Sequence, residues 1–217
     1  MATQTILNRS ANDEVPTASF DRFGGICAIL AGIGGLLYAI AFVIISRSAP
    51  ALGGLLSALF LTLNGLLASS ALATLYQRLR SANATAALWA LLLGSAGALG
   101  AAIHGGYDLA NALNPPSAVN ADLPSQIDPR GLLTFGVAGI ALLVNAWLIA
   151  KDGTLPRSFG YLTYVLAALL LFIYLARLTI LSPANPVLLV PVLLSGFLVN
   201  PAWYIWLGLT LFRSRAA

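Results

Sequence analysis

Long apolar runs alternate along this chain with short polar breaks. Six runs reach about the 20 residues that a helix needs to cross ~30 Å of hydrocarbon: residues 24–45, 51–76, 86–113, 131–150, 159–181 and 186–212. None has the strict alternation of a barrel strand. Only helices and closed barrels satisfy every backbone group in lipid, so each run is read as a helix. The expected fold is all-α, a polytopic membrane bundle of six transmembrane helices. Residues 1–20 are polar and lack the basic-then-apolar order of a cleaved signal peptide. They are expected to form a disordered cytoplasmic tail ahead of a membrane domain spanning 21–217.

The breaks carry their own chemistry. Asp128-Pro129 and Asn185-Pro186 each pair a capping side chain with a proline suited to the first helical position. Pro191 and Pro201 lie inside the sixth run, where each removes a backbone donor, which predicts a kink near 197–201.

Composition places this whole domain in the bilayer. Hydrophobic residues make up 59% of the chain and charged residues 8%, against about 25% charged in a soluble domain. The net charge of +4 is scattered, which argues against a nucleic-acid surface. Its distribution sets orientation instead. Arg9, Arg22, Arg78, Arg80, Lys151, Arg157, Arg213 and Arg215 fall on one side, and only Arg47 and Arg130 on the other. That bias predicts cytoplasmic N and C termini and an external loop at 114–130. Trp89, Trp147, Trp203 and Trp206 lie in the cytoplasmic halves, where an interfacial belt is expected.

Polar side chains within the spans are costly, so each raises a functional hypothesis. His104 is the only histidine, and it shares a face with Asp108 and Asn111 over about 60° of arc. Tyr107 sits among them. On the fifth run lie Tyr174 and Arg177. Counted at ~1.5 Å per residue, Arg177 is about 27 Å and Asp108 about 33 Å from the cytoplasmic side, so an ion pair between them is conceivable. The alternatives are a clamp between helices without a ligand, or an Arg177 that snorkels to headgroups. His104 and Asp108 can form a plain i,i+4 hydrogen bond or a proton-accepting pair. His104, Tyr107, Asp108, Asn111, Tyr174 and Arg177 are the candidate ligand-binding set.

Asn64, Asn145 and Asn200 lie deeper, one on each returning helix. They either hydrogen-bond between helices or ring a polar cavity. Tyr38 precedes Asn64 by 26 residues, and Tyr174 precedes Asn200 by 26. Tyr107 precedes Asn145 by 38, the excess matching the longer loop 114–130. The chain thus reads as three pseudo-repeated hairpins, each with a tyrosine going out and an asparagine coming back. Gly94, Gly97 and Gly100 form a small face suited to close helix packing.

Several chemistries lack their residues. The only lysine, Lys151, is at a helix edge, so no retinal Schiff base can form at mid-membrane. One histidine and an initiator methionine cannot supply paired haem ligands, and no His/Cys set suits zinc or copper. Asp108 has no second acid within the spans, and Ser95 lies on the opposite face from His104. Cys27, alone, forms no internal disulfide. No cofactor, metal site or catalytic set is expected, and the reading leans away from an enzyme.

The segments His104-Gly105-Gly106-Tyr107-Asp108-Leu109-Ala110-Asn111, Asp128-Pro129-Arg130-Gly131-Leu132-Leu133-Thr134-Phe135-Gly136 and Asn200-Pro201-Ala202-Trp203-Tyr204 carry a resemblance. The chain after residue 20 resembles uncharacterised bacterial six-span integral membrane proteins with no known activity. The resemblance implies a multi-pass bacterial plasma-membrane protein. Partners expected are the lipid bilayer, a small-molecule or lipid ligand, and either a second copy or another membrane subunit. The leading expectation is binding or transport of a small or amphiphilic ligand through a polar pocket in the outer leaflet. An accessory subunit of a membrane complex is the alternative, and a membrane-embedded enzyme the third.

Overall fold

A computed structural model describes the backbone of residues 2–114, 129–153, 155–180, 182 and 184–213, and the side chains of 20–114, 134–153, 155–180, 182 and 184–212. Six helices are long and apolar enough to cross a membrane. The fold is the expected all-α six-helix bundle, and the chain is a multi-pass membrane protein. Helix α1 runs Ala2–Ile40 and continues through a π-turn at Ala41–Ile45 to Ser48. Helix α2 spans Pro50–Leu79, α3 Ala84–Leu113, α4 Pro129–Asp152 and α5 Arg157–Thr179. Helix α6 comprises Pro186–Leu194, a second π-turn at Ser195–Val199, and Asn200–Arg213. The tail expected at 1–20 falls on residues whose side chains, Phe20 apart, lie outside the described set. Most of loop 114–130 lies outside it as well.

Local chemistry explains the boundaries. The Asn185 side chain accepts from Val187 N at 3.0 Å, with Pro186 at the first helical position, as the dipeptide predicts. Asn83 caps α3 in the same way through Ala86 N at 3.0 Å. Gly153 ends α4 at φ +71°, a backbone conformation that costs glycine nothing. The break expected in the sixth run takes the form of the π-turn between Pro191 and Pro201.

Helices adjacent in sequence pack side by side, and α6 returns to α1 to close the ring. Glycines make the close approaches. A Cβ on Gly32 would lie 2.6 Å from Ile205 Cγ1 and 2.8 Å from Pro201 O, and one on Gly208 would lie 2.6 Å from Gly25 O. Gly97 meets Thr134 O and Ala138 of α4 in the same manner, each at 3.1 Å from its missing Cβ. The predicted glycine face of α3 is therefore a packing seam against α4.

The large buried side chains gather at one end. Leu75 and Leu79 end α2, Leu148 and Ile149 end α4, Phe159 begins α5, and Trp203, Leu207 and Leu211 line the last turns of α6. All these termini share the end that carries Arg22, Arg78, Lys151 and Arg157, here the basic end. Trp203 is fully buried, stacks on Phe159 at 5.6 Å and donates from Nε1 to Thr163 Oγ1 at 2.8 Å. Of the tryptophans expected to form an interfacial belt, Trp89 and Trp147 are half exposed, with Lys151 Nζ 5.2 Å from the Trp147 ring, but Trp203 is core. Arg78 joins Asp21 at 2.7 Å across α1 and α2, and Ser81 donates to Asp152 at 3.1 Å. The basic end is tied across helices, beside a cavity of about 240 Å³ lined by Asp21, Arg22, Leu211 and Phe212.

Toward the far end the buried positions on α1, α2 and α3 become small: Ala39, Ala41, Ser57, Ala58, Ala102 and Gly105. Apolar bulk there comes from α5 and α6, as Leu170, Ile173 and Leu188.

Candidate functional site

Most of the candidate residues lie from mid-span to the far end, and four helices bring them in. Each helical Cα–Cβ bond leans toward its own N-terminus, so side chains on α1 and α3 tilt from the far end toward the middle of the bundle. On α3, His104 Nε2 lies 3.3 Å from Asp108 Oδ2, the i,i+4 contact that the sequence implies. The His104 side chain is 18% exposed and that of Asp108 44%, so the carboxylate opens toward the far end and the imidazole lies beneath it. Asn111, one turn further, is half-buried. Tyr107 is half exposed and turns to the outside of the bundle.

Across the ring, α1 contributes Tyr38, whose ring stacks on Phe42 at 5.7 Å. One turn below Tyr38 the Gly34-Gly35 pair leaves the surface of α1 bare. Two asparagines from different helices converge there. The missing Cβ of Gly35 would stand 3.2 Å from Asn200 Nδ2 and 3.5 Å from Asn64 Nδ2, and that of Gly34 would stand 3.4 Å from Asn64 Oδ1. The Asn64 oxygen is buried, and among the described residues no donor reaches it. An acceptor in that condition costs free energy comparable to a lost hydrogen bond, which marks it as a place where a donor is due.

Two irregular turns flank this platform. The α1 π-turn is fastened by Ser46, whose Oγ donates to Ala41 O at 3.0 Å. The α6 π-turn lies directly before Asn200, with Gly196 against Ala39 of α1. Pro201 has no N–H to return to the preceding turn, which accounts for the disturbed ladder there.

The expected residues on α4 and α5 lie elsewhere. The Tyr174 ring packs on Gly136 of α4, 3.0 Å from where a Cβ would be. Arg177 Nη1 donates to Ile180 O at 3.1 Å, capping its own helix. No ion pair joins Arg177 to Asp108 among the described residues. Asn145 is buried within α4, 4% exposed. The structure thus brings Asn64 and Asn200 together, keeps His104 with Asp108, and adds Tyr38, Gly34 and Gly35, which the candidate set lacked. The bare Gly34-Gly35 pair facing two asparagines at matching depth was the available signal. Among the described residues no group of three or more His, Cys, Asp or Glu side chains could hold a metal ion.

No protein-family model, no curated protein and no solved structure matches this chain.

Proposed function

We propose that this chain binds, and moves across the membrane, a small or amphiphilic ligand through a polar cleft in the far half of the bundle, walled by α1, α2, α3 and α6. One observation carries the reading. The largest fully buried side chains, led by Trp203 and Phe159, gather toward the basic end, whereas Asp108 lies toward the far end and Asn64 and Asn200 meet at mid-span on the bare Gly34-Gly35 surface. Intramembrane polar groups lining a cavity are the usual mark of a substrate path, and irregular helices at mid-membrane the usual mark of a binding site. The basic residues at the tied end favour the cytoplasmic side for it by the positive-inside rule, and on that reading the cleft faces the exterior. The plasma membrane is the bilayer proposed, on the resemblance to bacterial six-span proteins alone.

Cysteine accessibility tests this. In a Cys27→Ser background, single cysteines at positions 64, 200 and 207 are exposed on intact cells to a membrane-impermeant thiosulfonate. Labelling at 64 and 200 but not at 207 is expected. Labelling at 207 without 64 and 200 refutes an outward cleft.

A further inference from the structure

The cleft has a chemical sign. Asp108 supplies a half-exposed carboxylate, and the group within ion-pair distance of it among the described residues is His104. Arg177, the cation expected opposite, instead donates to its own helix terminus. On α1, Tyr38 presents an aromatic ring one turn above Gly34, stacked on Phe42 at 5.7 Å. Below, Asn64 Oδ1 is a buried acceptor that no donor reaches among the described residues. From top to bottom the column offers a carboxylate, an aromatic face and an amide oxygen, all suited to a ligand that donates and carries positive charge.

The register of the helices gives the column its length. Gly105 meets Thr62 and Ala58, and Gly65 meets Ala102, which sets Asn64 level with residues 101–102 of α3. Asp108 is then six to seven residues higher, about 10 Å at the helical rise. Tyr38 stands one turn above Gly34, between the two.

We propose that the cleft selects a protonated amine about 10 Å long, with its ammonium on Asp108, an apolar or aromatic body beside Tyr38, and a hydrogen-bond donor at its other end for Asn64. The proposal rests on the ligand-binding reading above. A carboxylate ligand would meet Asp108 with like charge, and a neutral one would forgo the ion pair.

Four probes differing by one group each separate the possibilities: tyramine, phenethylamine without the terminal donor, tyrosol with a hydroxyl for the ammonium, and 3-(4-hydroxyphenyl)propionate with a carboxylate. Binding is measured by calorimetry on the full chain in nanodiscs at pH 7. Tyramine is expected to bind at least tenfold tighter than tyrosol, and severalfold tighter than phenethylamine. Asp108→Asn should erase the tyramine-to-tyrosol ratio, and Asn64→Leu the tyramine-to-phenethylamine ratio, each leaving the other ratio intact. Ratios rather than affinities are compared, so partial loss of folding does not mimic the result. Tightest binding by the propionate, or a tyramine-to-tyrosol ratio unchanged in Asp108→Asn, overturns the amine assignment while leaving a ligand site standing. Absence of saturable binding by all four probes overturns both.

Discussion

The α1–α6 seam yields a prediction whose size follows from the backbone alone. Replacing Gly32 with alanine puts a methyl group 2.6 Å from Ile205 Cγ1, 2.8 Å from Pro201 O and 3.1 Å from Ile205 N. Two of those three atoms are main chain, so no rotamer change relieves them. The helices must part by roughly 0.6–0.8 Å to restore ordinary contact near 3.4 Å, which also loosens the Gly25–Gly208 contact two turns away. Overpacking of this kind costs about 1–3 kcal/mol, and the backbone clash argues for the upper part of that range. Gly106→Ala is the control, because a Cβ there meets nothing within 4 Å. Both variants gain the same helix propensity, about 1 kcal/mol, so it cancels in the comparison. The difference between them isolates the clash at ~2–3 kcal/mol, with Gly106→Ala more stable than the parent. Reversible unfolding by SDS titration in mixed micelles, followed by tryptophan fluorescence, reads this directly. Equal midpoints for the two variants would show that α1 and α6 do not pack through Gly32.

Other variants probe the remaining contacts. Thr163→Val strands the Trp203 Nε1–H at a fully buried position, and should cost about 1–2 kcal/mol in the same titration. Thr163→Ser keeps the acceptor and should cost less than half of that; equal losses would remove the hydrogen bond as the cause. Asp21→Asn breaks a partly exposed ion pair and should cost no more than about 1 kcal/mol, vanishing in high salt; a larger, salt-insensitive loss would contradict that assignment. Pro201→Ala restores the missing N–H, so α6 should wind regularly, raise thermal stability and rotate the segment before Asn200. Ligand affinity should then fall by at least tenfold, and a variant that gains stability with unchanged affinity would detach the π-turn from binding.

Local features were legible in the sequence, whereas facing was not. The six spans and the Asn185-Pro186 start follow from run length and capping chemistry, which need no knowledge of neighbours. His104 and Asp108 were legible together because both lie on one helix, where spacing fixes their contact. Counting residues along α3 and α5 gives Asp108 and Arg177 similar heights, but height leaves rotation about the helix axis open. Packing through Gly136 and Gly139 turns α5 toward α4, with Tyr174 against Gly136 and Arg177 on Ile180. Trp203 illustrates the same gap. Its height suits an interfacial belt, but its face points inward to Thr163, an acceptor one helix away that no local pattern reveals.

The three tyrosine–asparagine pairs make this point into a test. Their spacing in the chain is matched, yet the three tyrosines occupy unlike surroundings. Tyr38 stacks on Phe42 of its own helix, Tyr107 turns to the outside, and Tyr174 is spent on the α4–α5 seam. Likewise Asn64 and Asn200 meet at Gly35, while Asn145 is buried within α4. Matched spacing along the chain therefore does not fix facing, and the glycine contacts differ among the three hairpins. If so, substitution at equivalent positions should not have equivalent effects. Tyr38→Leu removes the aromatic face proposed to meet the ligand, worth about 0.5–2 kcal/mol to a bound cation, or roughly two- to thirtyfold in tyramine affinity. Tyr174→Leu should lower the unfolding midpoint through the Gly136 contact without changing the tyramine-to-tyrosol ratio. Tyr107→Leu should leave that ratio where it was. Equal losses of affinity from all three would mean that the cleft is threefold symmetric and that α4 and α5 line it after all.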